Sequence, residues 1–232
     1  MATLILVRHG RSTANTAHVL AGRTPGVHLD DLGRQQAVRV AERLGEVRPV
    51  RVVSSPLDRC RETAAPVLTA SGVDLITEPD LAECDYGAWT GRSIKELTDE
   101  PLWRTVQRQP SAVRFPGGES LPEMSARAVR AVRRHDAEVT HDAGPDAVWV
   151  AFSHGDLIKS ILADALGMHL DLFQRLHVDP GSASVIRFDD QRPSVLATNS
   201  HSGSLAWTVA AAPKEAKGGD AVVGGGAGPA TG

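Results

Sequence analysis

The chain has 232 residues, of which 41% are hydrophobic and 23% are charged, proportions typical of a folded globular protein. Its 25 lysine and arginine residues face 28 aspartate and glutamate residues, so the net charge is -3, which argues against nucleic acid or an anionic membrane as a partner. The apolar run before Arg8 is too short for a signal peptide or a membrane span, and two cysteines, Cys60 and Cys84, indicate no disulfide framework. The sequence therefore predicts a cytoplasmic protein.

Strand and helix patterns alternate through the first part of the chain. Leu4 to Val7 is an apolar run typical of a buried parallel strand, and Asp31 to Val47 has apolar residues at helical spacing. Arg51 to Ser54 contains the next strand. Ser55-Pro56 has the residue types of an N-cap and a first helical turn, so we expect a helix to begin there. Pro66 is expected to interrupt that helix.

The same alternation continues in the second half of the chain. A long helix is predicted from Ser120 to about Val139, because Ser120 and Glu123 have the spacing of a capping box. Ala147 to Phe152 predicts a buried strand, and two shorter strands are predicted at Ser184 to Phe188 and Ser194 to Thr198. This alternation indicates one α/β sheet with helices on both faces.

The composition changes near residue 213. The segment 213–232 contains seven glycines and two prolines, and its few apolar residues cannot offset the entropy of ordering, so we predict a disordered tail. The glycine run from Gly224 to Gly228 opens no helix, which argues against a phosphate-binding loop. The predicted organisation is one folded domain over 1–212 followed by this tail.

Three of the predicted strands are followed by residues suited to anion binding. Arg8-His9-Gly10 follows the first strand, Arg59 lies shortly after the second, and Ser153-His154-Gly155 follows the strand that ends at Phe152. The carboxyl ends of parallel strands share one edge of a sheet, where helix N-termini also favour anions. Each residue alone has a structural explanation, such as a surface arginine or a capping histidine. Clustered cations repel one another without an anion, so the pattern predicts a site for a compact oxyanion such as phosphate.

Four segments, in this order, resemble the motifs of one enzyme family. They are Arg8-His9-Gly10-Arg11-Ser12-Thr13-Ala14-Asn15, Ser55-Pro56-Leu57 with Arg59, Leu81-Ala82-Glu83-Cys84-Asp85-Tyr86-Gly87-Ala88-Trp89-Thr90-Gly91, and Ser153-His154-Gly155. Over about residues 3–200 the chain resembles the histidine phosphatase superfamily, which has the phosphoglycerate mutase-like fold. The resemblance implies a three-layer α/β/α fold with a mostly parallel central sheet, and it makes 1–212 a catalytic domain.

The resemblance also implies catalysis through a phosphohistidine. His9 would attack phosphorus as a neutral imidazole, which neighbouring Arg8 and Arg59 help to keep neutral. Arg8, Arg59 and His154 would stabilise the charge of the phosphoryl group during transfer. The expected phosphate-binding residues are Arg8, Asn15, Arg59, His154 and Gly155. Because such a transfer depends on positioning and electrostatics, we expect a small phosphorylated substrate and neither a metal nor another cofactor.

Glu83 is implied as the proton donor to the leaving alcohol and then as the base for the attacking water. A carboxyl group can act in this way near neutral pH only if its pKa is raised, which is expected beside a phosphate dianion. Asp85 lies in the same motif and is the alternative acid.

Three features favour hydrolysis over transfer between hydroxyl groups. The segment between Glu83 and His154 lacks the basic insertion of family mutases, and Pro116 to Ser120 resembles the phosphatase branch. Ala21 also stands where the mutases have a threonine. The sequence therefore favours a phosphomonoesterase, with a cofactor-primed phosphomutase as the alternative and a non-catalytic module that binds phosphorylated ligands as a third hypothesis.

Some features are predicted without a motif to support them. The suggested contacts to the leaving group are Trp103, Arg104 and Arg108. A solvent-exposed face of the long helix is predicted from Arg127, Arg130, Arg133 and Arg134. Homodimers are common among relatives of this family, so a homodimer is a further open expectation.

Overall fold

The architecture is built on one six-stranded sheet. The computed structural model describes residues 2–189 and 192–209, so the predicted domain end at 212 and the predicted tail 213–232 lie outside the described residues. The strands are β1 (Thr3–Arg8), β2 (Arg51–Ser54), β3 (Leu75–Thr77), β4 (Val148–Ser153), β5 (Ala183–Arg187) and β6 (Ser194–Ser200). Their order across the sheet is β3-β2-β4-β1-β5-β6. The first four of these are parallel, and β5 is antiparallel to both of its neighbours.

Helices connect the strands of the described chain. They are α1 (Thr13–Thr16), α2 (Asp31–Arg43), α3 (Asp58–Ser71), α4 (Ile94–Leu97), α5 (Pro101–Arg108), α6 (Leu121–Ala143) and α7 (Gly155–Ala165). Short 3₁₀ segments lie at Pro79–Leu81, Gly87–Trp89, Pro110–Ala112, Leu170–Arg175 and Ala206–Thr208. Within the described ranges, none of these helices combines the length and the apolar character that crossing a membrane requires.

Side chains of the central strands enter two separate hydrophobic cores, because successive residues of a strand point to opposite faces. On β1, Leu4 and Leu6 belong to the core that includes residues of α6 and α7, whereas Ile5 and Val7 belong to the core that includes residues of α2 and α3. The strand is therefore covered on both faces, which explains its continuous apolar sequence. The predicted three-layer α/β/α arrangement with a mostly parallel sheet is confirmed.

Capping residues set the starts of α2 and α6. The Asp30 side chain accepts the Gly33 N–H at 2.8 Å before α2. At α6, Ser120 and Glu123 each accept the backbone N–H of the other, so the predicted capping box is confirmed. The C-terminal ends differ from the prediction, since α2 ends at Arg43 and α6 continues to Ala143.

The predicted start of the helix after β2 is wrong. The helix begins at Asp58, with Leu57 as its N-cap residue, and no side chain caps it. Ser55 has another role, because its Oγ lies 2.8 Å from Nε2 of His154. A residue with a typical helix-capping side chain is therefore used to orient a histidine.

The predicted interruption at Pro66 is also wrong. Pro66 lies inside α3, which continues to Ser71. The proline removes one helical N–H, but buried Ala64 and Val67 on either side of it belong to the core under the helix. Packing against the sheet therefore holds the helix together across the missing hydrogen bond.

Candidate active site

A cleft of about 310 Å³ lies where the carboxyl ends of β1, β2 and β4 meet. The register of the parallel strands pairs Arg8 with Ser153, and the His9 N–H donates to the Ser153 carbonyl at 3.0 Å. Six of the residues predicted for the site line this cleft, namely Arg8, His9, Asn15, Arg59, Glu83 and Gly155. His154 lies fully buried against them. Strand pairing thus brings together residues that are far apart in the sequence.

The His9 imidazole is held in one orientation by a hydrogen bond between Nδ1 and the Gly10 carbonyl oxygen, 2.7 Å away. A carbonyl oxygen can only accept, so Nδ1 carries the proton and Nε2 keeps its lone pair. The pKa of His9 lies well below its usual value. The main cause is burial, and the positive charges of the Arg59 and Arg8 guanidinium groups lower it further. The ring is therefore neutral at pH 7 and has one nucleophilic nitrogen.

Gly10 makes this arrangement possible through a close approach between two backbone segments. A Cβ atom at this position would lie 2.5 Å from the Gly33 carbonyl oxygen, so no larger residue fits without displacing α2. The N-terminal part of α2 therefore packs directly on the turn that positions His9.

Two guanidinium groups present unpaired donors in the cleft. Arg8 donates from Nη1 to the Val178 carbonyl at 2.6 Å, and Arg59 donates from Nη2 to the Gly22 carbonyl at 2.9 Å. Arg8 Nε and Arg59 Nη1 are buried, yet neither has a hydrogen-bond partner among the described residues. Leaving such donors unpaired in the interior is costly, so the pair fits an anion that accepts both hydrogen bonds.

His154 is held by contacts with Ser55, which lies between β2 and α3, and with Arg59 on α3. Its Nε2 lies 2.8 Å from Ser55 Oγ, and its Nδ1 lies 3.3 Å from Arg59 Nη2. The centre of its ring is 5.2 Å from the centre of the His9 ring, in an edge-to-face arrangement. The pKa of His154 lies well below its usual value, mainly because the ring is buried and secondly because the positive charge of Arg59 is close. His154 is thus a neutral imidazole held beside the His9 ring.

Asn15 and Gly155 complete the predicted phosphate-binding set. The Asn15 Oδ1 accepts from the Ser12 N–H and the Ser12 hydroxyl, each at 3.0 Å, which leaves its amide NH₂ as the group able to donate to a ligand. Gly155 begins α7, and a Cβ there would lie 3.4 Å from Nε of Arg8. The Arg8 guanidinium therefore lies next to the N-terminus of α7.

Glu83 is an acidic residue that lines the cleft, as Asp156 also does. Its Oε1 accepts the Cys84 N–H at 2.9 Å, and its Oε2 lies 3.8 Å from His154 Nδ1. Burial and then the charge of Asp156 raise the pKa of Glu83 to about 7. The alternative acid, Asp85, is not among the lining residues, and it accepts the Gly87 N–H at 3.0 Å. The geometry therefore places Glu83, not Asp85, in position to exchange a proton.

A network of charged side chains that sequence analysis missed holds the backbone at Glu83. The Glu83 carbonyl accepts from Arg23 Nε at 2.9 Å and from Arg127 Nη2 at 3.1 Å. Both arginines also bond to Glu119, and Arg127 does so through two nitrogens. The prediction that Arg127 lies on an exposed face is wrong, because the residue is buried at 8% exposure. The sequence did contain a sign of this burial, because Arg127 lies three residues after Met124 and next to Ala128, and both belong to the core.

We expect Arg127→Ala to lower the free energy of unfolding by about 3 kcal/mol, because it leaves the partly buried Glu119 without its bidentate partner. Urea denaturation of both forms would measure the difference. Arg130→Ala is the matched control, since Arg130 is exposed on the same helix and its loss is expected to change stability by less than about 0.5 kcal/mol. Equal effects of the two substitutions would contradict the assigned role of Arg127.

The cleft also has lining residues that were not predicted for the site from the sequence. Tyr86, Asp156 and Lys159 line it, and the Tyr86 hydroxyl donates to Asp156 Oδ2 at 3.3 Å. Asp156 and Lys159 could have been predicted from the sequence, because they lie in the first two turns of α7, directly after Gly155. The suggested leaving-group contacts Trp103, Arg104 and Arg108 are not among the residues that line the cleft, and Trp103 stacks on Trp89 with ring centres 6.1 Å apart.

Histidine and acidic side chains form pairs elsewhere on the surface. His177 and His201 both contact Asp179, and His28 contacts Glu62. Within residues 2–189 and 192–209, no group of three or more His, Cys, Asp or Glu side chains has an arrangement that could hold a metal ion.

Comparison with known proteins places this site in a family. The model of the histidine phosphatase superfamily (branch 1) matches residues 4–201. Phosphoserine phosphatase 1 of Hydrogenobacter thermophilus is 32% identical over 205 residues, covering 86% of this chain and 92% of that protein. The "Probable phosphoglycerate mutase GpmB" of an Enterobacter species is 32% identical over 200 residues, covering 85% of this chain and 89% of that protein.

The structural comparison agrees with the sequence comparison. A mycobacterial glucosyl-3-phosphoglycerate phosphatase, solved in complex with VO3, superposes with a TM-score of 0.76 at 28% identity, covering 85% of this chain and 98% of that one. The chain spans about half the length of mycobacterial relatives that it matches at 33% identity over 189 residues, which are 80% of this chain. The family model and the full-length relatives lead to one conclusion: the chain belongs to the histidine phosphatase superfamily, branch 1.

Proposed function

We propose that the chain hydrolyses small phosphate monoesters, without a metal, through a phosphohistidine formed on His9. In the first step Nε2 of His9 forms a bond to phosphorus while the bond to the ester oxygen breaks, and Glu83 gives its proton to that oxygen. In the second step water attacks phosphorus, Glu83 takes a proton from the water, and the bond to Nε2 breaks. The products are the alcohol, inorganic phosphate and neutral His9.

The observation that supports this proposal most strongly is the pair of buried, unpaired guanidinium N–H groups beside the neutral His9 ring. Arg8 Nε and Arg59 Nη1 are donors that a phosphoryl group can satisfy. Their positive charge stabilises the charge that the phosphoryl oxygens bear during transfer. An anion bound there lies next to the nucleophile and to the proton donor.

Glu83 suits both of its proposed tasks. With a pKa of about 7, it is partly protonated and partly ionised at neutral pH, so it can donate a proton in one step and accept one in the next. An ordinary carboxyl group, with a pKa near 4.3, would be ionised at pH 7 and could not protonate an alkoxide leaving group efficiently.

The second candidate function is transfer of the phosphoryl group between two hydroxyls of one substrate. The relative named as a phosphoglycerate mutase supports it, because that protein matches most of this chain. A mutase must retain the dephosphorylated intermediate in the cleft, whereas a phosphatase has to admit water. Sequence analysis favours the phosphatase, since the basic insertion of the family mutases is missing.

Phosphorus NMR with a chelator present separates the candidates. The sample contains the purified protein, 3-phosphoglycerate, a trace of 2,3-bisphosphoglycerate and p-nitrophenyl phosphate. We expect the inorganic phosphate signal to grow, at a rate that the chelator does not change. Appearance of 2-phosphoglycerate without free phosphate would show a mutase instead. Loss of activity on adding chelator would contradict the metal-independent mechanism, and no reaction would contradict the proposed activity on these esters.

A further inference from the structure

Among the described residues, two carboxyl groups line the cleft, those of Glu83 and Asp156. Asp156 is the second residue of α7, and its side chain is 28% exposed, whereas the side chain of Glu83 is 13% exposed. Two carboxylates in one cleft repel each other when both are ionised, so the pair favours a state in which one of them keeps its proton. The reaction proposed for this site uses the Glu83 carboxyl group and leaves that of Asp156 without a task.

The Asp156 carboxylate is held at the cleft by a tyrosine from the loop that bears Glu83. Tyr86 lies three residues after Glu83, its side chain is buried, and its hydroxyl donates to Asp156 Oδ2 at 3.3 Å. The Tyr86 ring packs edge to face on Phe115, with ring centres 4.9 Å apart. This hydrogen bond joins the loop to the first turn of α7, which keeps the two carboxyl groups in the same cleft.

Lys159 neutralises the charge of Asp156 only in part. Its Nζ lies 3.7 Å from Asp156 Oδ1, which is longer than a hydrogen bond. The same ammonium group donates to Gln174 Oε1 at 3.0 Å and lies 5.9 Å from the centre of the Phe173 ring, and neither of these two residues lines the cleft. The negative charge of Asp156 is therefore left to act on Glu83.

Half of the titratable groups around Glu83 carry no charge at neutral pH. In the described chain these groups are the side chains of Arg8, Arg59, Cys84, Tyr86, His154 and Asp156. Burial raises the pKa of Cys84 and of Tyr86, and it lowers the pKa of His154, so these three are uncharged. The charges that act on Glu83 are those of the two arginines and of Asp156.

The arginines and Asp156 have opposite effects on Glu83. Burial and then the Asp156 charge raise the pKa of Glu83, whereas the charges of Arg59 and Arg8 lower it. Both arginines are needed for the phosphoryl group, yet their charges favour loss of the proton that Glu83 must donate. A negative charge held in the cleft resolves this conflict.

We propose that Asp156 is a positioning residue for proton transfer, whose charge offsets those of the two arginines and keeps the proton on Glu83 until the leaving group takes it. The inference rests on the proposed phosphatase activity and deepens it by assigning control of the acid to α7. Once Glu83 has given its proton to the ester oxygen, the two carboxylates repel each other. Glu83 is then a stronger base toward the attacking water, from which it takes a proton in the second step.

The pH profile of kcat/KM for glycerol 3-phosphate, an alkyl ester, tests this proposal because it reports the ionisation of groups in the free enzyme. In Asp156→Asn the amide oxygen can still accept from the Tyr86 hydroxyl, so the substitution removes the charge and keeps the hydrogen bond. We expect the alkaline fall to move about one pH unit lower, which makes kcat/KM at pH 8 about tenfold smaller than in the unmodified chain. The kcat/KM for p-nitrophenyl phosphate should change much less, and Asp156→Glu should retain the original profile.

Asp164→Asn is the matched control, since Asp164 lies on the same helix, bonds to Arg133 and does not line the cleft. This variant should leave the profile unchanged. Carbon-13 NMR of the chain labelled at the glutamate δ-carboxyl gives a readout that does not depend on activity, with the Glu83 signal assigned from Glu83→Gln. The pH at which Glu83 titrates should fall in Asp156→Asn and stay unchanged in Asp164→Asn.

The two readouts distinguish failure of this inference from failure of the proposed function. If the Glu83 titration does not move in folded Asp156→Asn, the inference is overturned, and the phosphatase proposal stands as long as esters are hydrolysed through His9. If the titration moves but no ester is hydrolysed and His9 is never phosphorylated, the phosphatase proposal is overturned while the effect of Asp156 on Glu83 is established. An alkaline fall that persists in Glu83→Gln would overturn the acid role of Glu83 and this inference with it.

Discussion

Replacing His9 by alanine is expected to reduce kcat at least about 10⁴-fold for every phosphate ester, because it removes the imidazole nitrogen that takes the phosphoryl group from the substrate. The acid-labile phosphoenzyme should disappear with it. Both effects follow from the single nucleophilic nitrogen that the His9–Gly10 hydrogen bond leaves free. Initial rates with p-nitrophenyl phosphate, together with labelled phosphate retained on the protein after rapid quenching, would measure them.

His141→Ala provides the comparison for His9→Ala, since His141 is exposed near the end of α6 and should be replaceable without effect on the rate. Thermal unfolding of both variants would establish that each is folded. More than a few per cent of the original activity in folded His9→Ala would show that His9 is not the nucleophile. The bound anion should still interact with Arg8 and Arg59 in this variant, so phosphate would remain an inhibitor.

Replacing Glu83 by glutamine is expected to slow hydrolysis of alkyl phosphates by about 10²- to 10⁴-fold, because the amide cannot protonate the departing alkoxide. The kcat/KM for p-nitrophenyl phosphate, which reports formation of the phosphoenzyme and not its hydrolysis, should fall much less than the kcat/KM for alkyl phosphates, since its leaving group is stable as an anion and needs little protonation. The ratio of the two losses therefore reports proton donation specifically. Equal losses with both substrates would contradict the role of Glu83 as the acid.

The pH dependence of the rate of the unmodified chain is a second test of proton donation by Glu83. Glu83 must be protonated to donate, and its pKa of about 7 means that the rate with alkyl phosphates should fall above pH 7, by about tenfold per pH unit. His9 should not contribute in this range, because its lowered pKa keeps it neutral. The alkaline fall should be absent in Glu83→Gln and retained in Glu42→Gln, a change at an exposed position on α2. A fall that persists in Glu83→Gln would assign it to another group.

Much of the fold was predictable because its signals are local. The apolar run from Leu4 to Val7 and the capping box at Ser120 each depend on a few neighbouring residues, and the structure has an element at both places. The start of α3 was not predictable in this way. The hydroxyl of Ser55 bonds to His154, which is remote in sequence, and a tertiary contact of that kind leaves no pattern around Ser55 itself.

In the site, too, the residues that lie in local sequence motifs were predictable, and those whose role depends on tertiary contacts were not. His9, Arg59 and Glu83 lie in recognisable motifs, and the structure places all three at one cleft. Arg127 lies in none, since its importance arises only when α6 packs beside the loop that bears Glu83. Helical periodicity indicates which side of the helix each residue is on. It does not indicate whether the neighbour on that side is a core residue or an active-site backbone carbonyl.

The position of β1 in the sheet has a consequence for how the chain is synthesised. β1 is synthesised before the other five strands of this sheet, yet its two partners, β4 and β5, begin only at Val148 and Ala183. Both edges of this apolar strand therefore stay unpaired until β4 and β5 have been synthesised. Closing so long a loop makes folding slow. During that interval the unpaired edges of the strand are exposed, which favours aggregation. The cleft, which needs residues that follow both β1 and β4, forms only after this pairing.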